Sequence, residues 1–191
     1  DHIYTLSKGI SWITFQNECA AIRIDDQLCK QGKGITLYSS FKQNLKGDKM
    51  YTVFEDSEGD EWILTNKGIS IIGKKQVDSD FPFQYIKEAD GIIYLVSQSD
   101  KLASYNFKTR QFKFIEIPYH VSMINEVKKF DSNTLLLATD NGLIIYKIKE
   151  KEFQLIDIRT STQPSNVVQS VYQDHYKELW IFPQTTGVIR Y

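Results

Sequence analysis

The feature that most constrains the fold of this chain is an internal repeat. Residues 53–72, VFEDSEGDEWILTNKGISII, and residues 171–191, VYQDHYKELWIFPQTTGVIRY, follow the same order. In each, an Asp precedes a Trp by six residues, as Asp56 precedes Trp62, and an apolar stretch, a polar turn with one Gly and a second apolar stretch follow. A repeat that cannot bury its apolar face alone stacks on its neighbours, so the period of the repeat indicates the architecture.

Three weaker copies complete the pattern when every unit is aligned on the Trp position. This position is held in turn by Trp12, Trp62, Tyr94, Leu136 and Trp180. Successive positions are 50, 32, 42 and 44 residues apart, a mean of 42. The alignment predicts one domain made of five units, which span residues 1–47, 48–79, 80–119, 120–163 and 164–191.

Each unit has the pattern of a small antiparallel sheet. Its second strand, such as residues 61–65 (EWILT), is apolar on both faces and is therefore expected to be buried between layers. Its last stretch, such as residues 111–117 (QFKFIEI), alternates apolar and polar residues as a half-exposed outer strand does. Four antiparallel strands every 42 residues are typical of a β-propeller blade. We predict an all-β segment of about five four-stranded blades, the last without its fourth strand.

The turns and the Asp–Trp pairs admit a structural explanation. An Asp beside a Trp is also a sugar-stacking arrangement, but a packing residue recurs at the same place in every unit, whereas a binding residue need not. Recurrence therefore favours an Asp that caps the hairpin turn and a Trp that buries roughly 150–250 Å² between blades. The first unit has Leu6 where the units of Trp62 and Trp180 have Asp. The predicted structural repeat positions are Trp12, Asp56, Trp62, Gly68, Gly142, Asp174, Trp180 and Gly187.

Composition excludes several partners. The chain is 41% hydrophobic, which supports a core, and its net charge of −1 gives no electrostatic case for binding nucleic acid or anionic membrane. No apolar run approaches the roughly 18 residues of a membrane span, so direct membrane insertion is not expected. The sequence begins at Asp1 rather than Met, and we expect a segment of a longer protein. Cys19 and Cys29 are compatible with a disulfide or with two free thiols.

No metal or cofactor site is expected. The histidines, His2, His120 and His175, lie far from one another and from any Cys at ligand spacing. The acidic stretch at residues 55–61 (EDSEGDE) lacks the ligand spacing of an EF-hand loop and is interpreted as a solvated hairpin turn.

The pattern of Asp, short turn, Trp-Ile, Gly and terminal Ile-Arg-Tyr resembles the two-component regulator propeller repeat. Residues 53–72 and 171–191 carry it most clearly, and residues 165–174 (SNVVQSVYQD) resemble the strand that leads into that repeat. The resemblance extends over the whole chain, and Tyr94 and Leu136 depart from it at the Trp position.

The resemblance implies a place in a larger protein. Members of this family are hybrid two-component sensor histidine kinases of Bacteroidetes, anchored in the inner membrane, whose periplasmic sensor region consists of propellers of about seven blades. Such sensors detect oligosaccharides. The resemblance therefore implies a periplasmic, non-catalytic sensor segment, an oligosaccharide ligand, a parent that forms homodimers, and a kinase outside this chain.

In a four-stranded blade, the turns between strands two and three and the crossovers between blades open at one edge. Ligands of propellers commonly meet this edge, and its loops here carry aromatic, amide and charged side chains suited to a sugar. The candidate ligand residues are Asn66, Lys67, Phe81, Phe83, Gln98, Asp100, Tyr119, His120, Asp140, Asn141 and Gln184.

Two alternative functions of a propeller are catalysis and protein interaction. A propeller enzyme acting on polysaccharide, a glycoside hydrolase or a lyase, would need paired carboxylates across a cleft, but the acids concentrate in first-hairpin turns, at the other edge. Neither a nucleophile elbow nor a Ser–His–Asp arrangement is visible. A scaffold for protein interaction or dimerisation has only the architecture in its favour, because the Gly-His and Trp-Asp signatures of WD40 repeats are absent.

Overall fold

The structure is a computed structural model that describes residues 2–39, 45, 47–74, 77–78, 82–106, 109, 111–185 and 187–191. The chain divides into two compact units, Asp1–Gln84 and Tyr85–Tyr191. In the described part of the chain, the strands form five antiparallel sheets, numbered 1 to 5 here in chain order, each with strands in sequence order. The prediction of an all-β chain of four-stranded units, the last with three strands, is confirmed.

The first unit contains sheets 1 and 2. Sheet 1 is formed by β1 (His2–Thr5), β2 (Ile10–Phe15), β3 (Ala20–Asp25) and β4 (Ile35–Ser39). Sheet 2 is formed by β5 (Met50–Glu55), β6 (Glu61–Thr65), β7 (Gly68–Ile71) and β8 (Val77–Asp78). A single helical turn, α1 (Asp26–Cys29), links β3 to β4, and short 3₁₀ turns occupy Ser7–Gly9 and Gln16–Glu18. The side chain of Asp25 caps α1 by accepting from the N–H groups of Gln27 and Leu28.

The second unit contains sheets 3 to 5, apart from the first two residues of β9. Sheet 3 is formed by β9 (Phe83–Ala89), β10 (Ile92–Ser97), β11 (Leu102–Asn106) and β12 (Gln111–Ile115). Sheet 4 is formed by β13 (Ile124–Lys129), β14 (Thr134–Thr139), β15 (Gly142–Lys147) and β16 (Glu152–Ile156). Sheet 5 is formed by β17 (Val168–Gln173), β18 (Leu179–Pro183) and β19 (Ile189–Arg190).

Turn chemistry and apolar pattern explain these elements. The turn at Asp90–Gly91 has positive φ at both residues, which suits the tight two-residue connection between β9 and β10. Second strands such as β6 and β14 are buried on both faces, as their unbroken apolar sequences predict. A register shift recurs in the first strands β5, β13 and β17, where one extra residue forms a β-bulge.

Neighbouring sheets within each unit share a core. In the first unit, Trp12 packs with Val53 and Ile63, so sheets 1 and 2 are joined. In the second unit, one core joins sheets 3 and 4 around side chains such as Tyr94 and Leu137. Another core joins sheets 4 and 5 and includes Leu136, Val171 and Ile181. The Trp position therefore faces the next sheet along the chain in both units.

Cys19 is buried, Cys29 is exposed, and no disulfide joins them. Burial raises the pKa of Cys19. Among the described residues, no helix is both long and apolar enough to span a membrane. In the same residues, no three His, Cys, Asp or Glu side chains lie together in a way that could hold a metal ion.

Candidate functional site

The carboxylate of Asp56 joins a turn to a buried tryptophan. Its Oδ1 accepts hydrogen bonds from the N–H groups of Glu58 at 3.1 Å and Asp60 at 2.8 Å. Its Oδ2 accepts from Nε1 of Trp62 at 2.8 Å, and the Trp62 side chain is fully buried. One side chain therefore holds the β5–β6 turn and satisfies an indole N–H that solvent cannot reach.

Asp174 makes the same set of bonds in sheet 5. It accepts from the N–H groups of Tyr176 at 2.8 Å and Glu178 at 3.0 Å, and from Nε1 of Trp180 at 2.9 Å. These atoms are occupied within their own hairpins. The recurring Asp–Trp pairs consequently hold turns and fill spaces between strands, and they offer no carboxylate to a ligand.

This arrangement predicts a specific acid sensitivity. The hydrogen bond from the Trp180 indole, with those from the Glu178 and Tyr176 N–H groups, outweighs desolvation and lowers the pKa of Asp174 below its ordinary 3.8. A carboxyl whose pKa is lower in the folded state contributes stability that is complete above the unfolded value, and loses it as pH falls through the folded value. Thermal unfolding followed from neutral pH to about pH 2 should therefore show a steeper loss of stability below pH 3.8 in the wild type than in Asp174→Asn. Parallel curves would contradict the assignment.

Sheet 1 has Leu6 where the other Trp units have Asp, and its indole finds an acceptor in sheet 2. Nε1 of Trp12 donates to Oε2 of Glu61 at 2.6 Å. The Arg23 guanidinium donates to the same carboxylate through Nε at 2.9 Å and through Nη2 at 2.8 Å. Arg23 also lies 3.4 Å from Asp25, and its pKa is raised, mainly by the hydrogen bond to Glu61.

The sequence analysis missed the pairing of Arg23 with Glu61. The acidic stretch at residues 55–61 was interpreted as solvated, but Asp56 and Glu61 within it are each only 7% exposed. That interpretation is wrong for these two residues, because each carboxylate accepts an indole N–H. The missing Asp at Leu6 was the available signal, since a buried Trp12 without its own acceptor needs one from another strand.

The predicted ligand residues of the first unit are largely engaged in structure. Oδ1 of Asn66 accepts from the N–H groups of Asp48 and Lys49 at 3.1 and 3.2 Å, which fastens the chain entering β5 to the β6–β7 turn. Lys67 is exposed and pairs with Asp48 at 3.3 Å. Phe83 is 1% exposed and presents no ring face to solvent. The remaining candidate, Phe81, lies outside the described residues.

In the second unit, the β14–β15 turn carries a cluster of polar bonds. Both carboxylate oxygens of Asp140 accept from the Ser122 N–H, at 3.1 and 3.2 Å. Nδ2 of Asn141 donates to the main-chain oxygen of His120 at 3.0 Å, and its Oδ1 accepts from Asn166 at 3.0 Å. The structure thus brings three candidates together, Asp140, Asn141 and His120, through bonds that hold the loops.

The other candidates are dispersed. Tyr119 donates its hydroxyl to the main-chain oxygen of Phe153 at 3.1 Å, which turns it toward the core of sheets 3 and 4. Asp100 is exposed and paired with Lys101 at 2.9 Å. Gln98 and Gln184 are exposed, and their main chains bond to the strands that enter sheets 4 and 5.

A pocket of about 510 Å³ opens between sheets 3 and 4, within the range of small-molecule sites. The turns at Asp90 and Lys149–Lys151 contribute to its lining, and so does Glu116, which follows β12. Tyr94 on β10 and Tyr146 on β15 line it, with ring centroids 6.3 Å apart in an edge-to-face arrangement. Phe153 stacks on Tyr146 with centroids 4.4 Å apart.

The two tyrosine hydroxyls in this pocket are available. Tyr94 and Tyr146 are each 3% exposed, and neither hydroxyl has a hydrogen-bond partner among the described residues. Every fully buried side-chain oxygen or nitrogen in those residues does have a partner, so these two oxygens are open to solvent. Burial raises the pKa of Tyr94 to about 12, and Tyr146 and Asp90 act in the same direction. Its hydroxyl therefore stays a donor at neutral pH.

Solved structures resemble the chain in fold. It superposes on the extracellular domain of a hybrid two-component system from B. thetaiotaomicron with a TM-score of 0.72 and 20% identity, over 98% of this chain and 26% of that one. It superposes on virginiamycin B lyase from Staphylococcus aureus with a TM-score of 0.74 and 17% identity, over 99% of this chain and 68% of that one. The chain is a β-propeller segment.

The third comparison shows how widely the fold is shared. The propeller of YCF48 bound to D1 peptide matches 99% of this chain and 63% of its own, with 16% identity and a TM-score of 0.63. No protein-family model and no curated protein matches the chain by sequence. The chain spans about a quarter of the length of the extracellular domains from B. thetaiotaomicron that it matches. The fold is shared with those domains, with a lyase and with a protein solved in complex with a peptide.

Proposed function

We propose that this chain is a ligand-binding segment of an extracellular sensor propeller, that its ligand is an oligosaccharide, and that it is not itself catalytic. The observation that carries the proposal is the pocket between sheets 3 and 4. It combines stacked aromatic rings with two tyrosine hydroxyls that have no hydrogen-bond partner in the described part of the chain. Sugars offer apolar ring faces and many hydroxyls, so such a surface is complementary to them.

Two further points support a sensor. The Asp–turn–Trp sequence of the two-component regulator propeller repeat occurs twice with the same three hydrogen bonds. The extracellular domains of B. thetaiotaomicron two-component systems share the fold. We extend the proposal to a periplasmic location, a parent anchored in the inner membrane, a homodimer of that parent, and a histidine kinase outside this chain that responds to the bound ligand.

A panel of plant, host and microbial oligosaccharides, screened by thermal unfolding and confirmed by calorimetry, tests this function. A ligand at about 100 times its dissociation constant should add about 2.7 kcal/mol to the free energy of unfolding, which is a readable rise in melting temperature. The sugar should be recovered unchanged, as chromatography of the incubated mixture would show. Shortened or unsaturated products would instead indicate a propeller enzyme, and a panel without any ligand would favour a scaffold for protein interaction or dimerisation.

A further inference from the structure

Sheets 3 and 4 each present a row of three side chains to the next sheet, on their second, third and fourth strands. Residues paired directly across antiparallel strands share one face, so a row is defined by the register of the strands. In sheet 4 the row is Leu136, Ile145 and Gln154. This row lines a pocket of about 460 Å³ toward sheet 5, with Leu179 on the other side. A gap between neighbouring sheets therefore recurs here, and the row of sheet 4 that lines it consists of two aliphatic side chains and one amide.

The corresponding row in sheet 3 has a different chemistry. Tyr94 pairs with Ser104, and Ser104 pairs with Lys113. All three line the pocket toward sheet 4. Where the neighbouring row has a leucine, an isoleucine and an amide, this one has two hydroxyls and an ammonium group. The row of sheet 4 fills the same positions with two aliphatic side chains and an amide. Packing therefore does not require the hydroxyl and ammonium groups of sheet 3, and their presence calls for another explanation.

The opposite wall belongs to sheet 4 and completes an amphipathic slot. Tyr146 and Phe153 are directly paired on β15 and β16, and their stacked rings form an apolar surface. Lys149 and Lys151, in the turn between these strands, stand at the rim. The slot thus has a hydroxyl-bearing wall, an aromatic wall and ammonium groups at both sides of the opening.

The charges in the slot are unequally matched. Three lysines and two carboxylates, Asp90 and Glu116, line it. Lys149 pairs with Asp90 at 3.4 Å. Among the described residues, neither Lys113 nor Lys151 forms an ion pair. Two ammonium groups beside aromatic rings and the hydroxyls of Tyr94 and Tyr146 suit a ligand that carries hydroxyls and a negative charge.

We propose that the slot between sheets 3 and 4 binds an acidic saccharide, one whose sugar units bear carboxylates. Lys113 and Lys151 bind the carboxylate, Tyr94, Ser104 and Tyr146 bind sugar hydroxyls, and the ring of Phe153 supports the aromatic wall. This inference rests on the proposed function and narrows it to one ligand class and one place, the slot between sheets 3 and 4, which none of the predicted ligand residues lines.

The test compares matched acidic and neutral probes on the full chain. Trigalacturonate and trimannuronate are titrated calorimetrically beside the galactose and mannose trisaccharides, which carry hydroxymethyl groups in place of carboxylates. We expect at least one acidic probe to bind about tenfold more tightly than its neutral counterpart, with affinity that falls as salt rises.

Variants of two residues that line the slot test where the ligand binds. Lys113→Gln introduces the residue that sheet 4 has at this position, and should weaken binding about tenfold. Tyr94→Phe removes only a hydroxyl and should weaken it severalfold. Lys147→Gln is the matched control, because Lys147 is exposed and lines the neighbouring pocket instead, and it should leave the affinity unchanged. Circular dichroism melts establish that each variant is folded.

The outcomes separate the two proposals. Equal binding of acidic and neutral probes that is lost in the slot variants would overturn the ligand class and keep the site. Acidic binding that the slot variants leave intact would overturn the site and keep the sensor function. If neither these probes nor the wider oligosaccharide panel binds, both proposals fail.

Discussion

Replacing Glu61 by alanine is expected to lower the free energy of unfolding by about 3–5 kcal/mol, the cost of leaving a buried charge without its partner. The Glu61 carboxylate accepts from the Trp12 indole and from two nitrogens of Arg23, and its side chain is 8% exposed. Its removal leaves the fully buried Trp12 indole N–H without its acceptor, and leaves the partly buried guanidinium of Arg23 with only the longer contact to Asp25 at 3.4 Å.

Equilibrium unfolding in urea measures this loss, with Glu58→Ala as the control. Glu58 is an exposed acid in the same hairpin, and only its main-chain N–H takes part in the turn, so that variant should lie within about 0.5 kcal/mol of the wild type. The double variant Glu61→Leu with Arg23→Leu removes both charges, and should recover much of the loss. A Glu61→Ala protein as stable as Glu58→Ala would show that the ion pair contributes nothing.

The second large effect is expected at Asp56. Asp56→Ala removes the acceptor of three hydrogen bonds, one of them from the fully buried Trp62, and should cost about 3 kcal/mol. Asp56→Asn should cost less stability than Asp56→Ala, because the amide oxygen can still accept from the N–H groups of the turn. It should still cost some stability, because the amide NH₂ group cannot accept from the indole N–H.

A double-mutant cycle with Trp62→Phe isolates the indole bond. In the Trp62→Phe background no indole N–H is present, so Asp56→Ala should cost about 1 kcal/mol less than it does in the wild type. Additive losses in the cycle would contradict a direct energetic coupling between these two side chains.

The spacing of the repeat explains why the fold could be predicted from the sequence. Trp12, Trp62 and Trp180 mark second strands of three sheets. Gly68 and Gly142 follow the second strands β6 and β14 with positive φ, where a side chain would be strained. Such signals are local, because strand alternation and turn residues are set within a few positions.

The candidate site was harder to predict from the sequence, because it depends on which polar groups already form hydrogen bonds within the protein. Asn66 and Asp140 look alike as ligand candidates in sequence, yet both fasten their own loops by accepting from main-chain N–H groups. Tyr94 was recognised only as a substitute for Trp, since its alignment with Ser104 and Lys113 depends on the lengths of two turns. One residue more or less in either turn would move a row member to the other face.

The cross-strand rows have a consequence for how such proteins diversify. The register places Trp12 with Arg23 in one sheet, Tyr94 with Ser104 in another and Leu136 with Ile145 in a third, and the sheets themselves keep the same strand order. The architecture therefore accommodates apolar, hydroxyl-bearing and charged side chains at equivalent row positions. A protein built this way can change its ligand selectivity at one gap without altering the others, because each gap is lined by its own row and the hydrogen-bonded turns that hold the hairpins lie outside the rows.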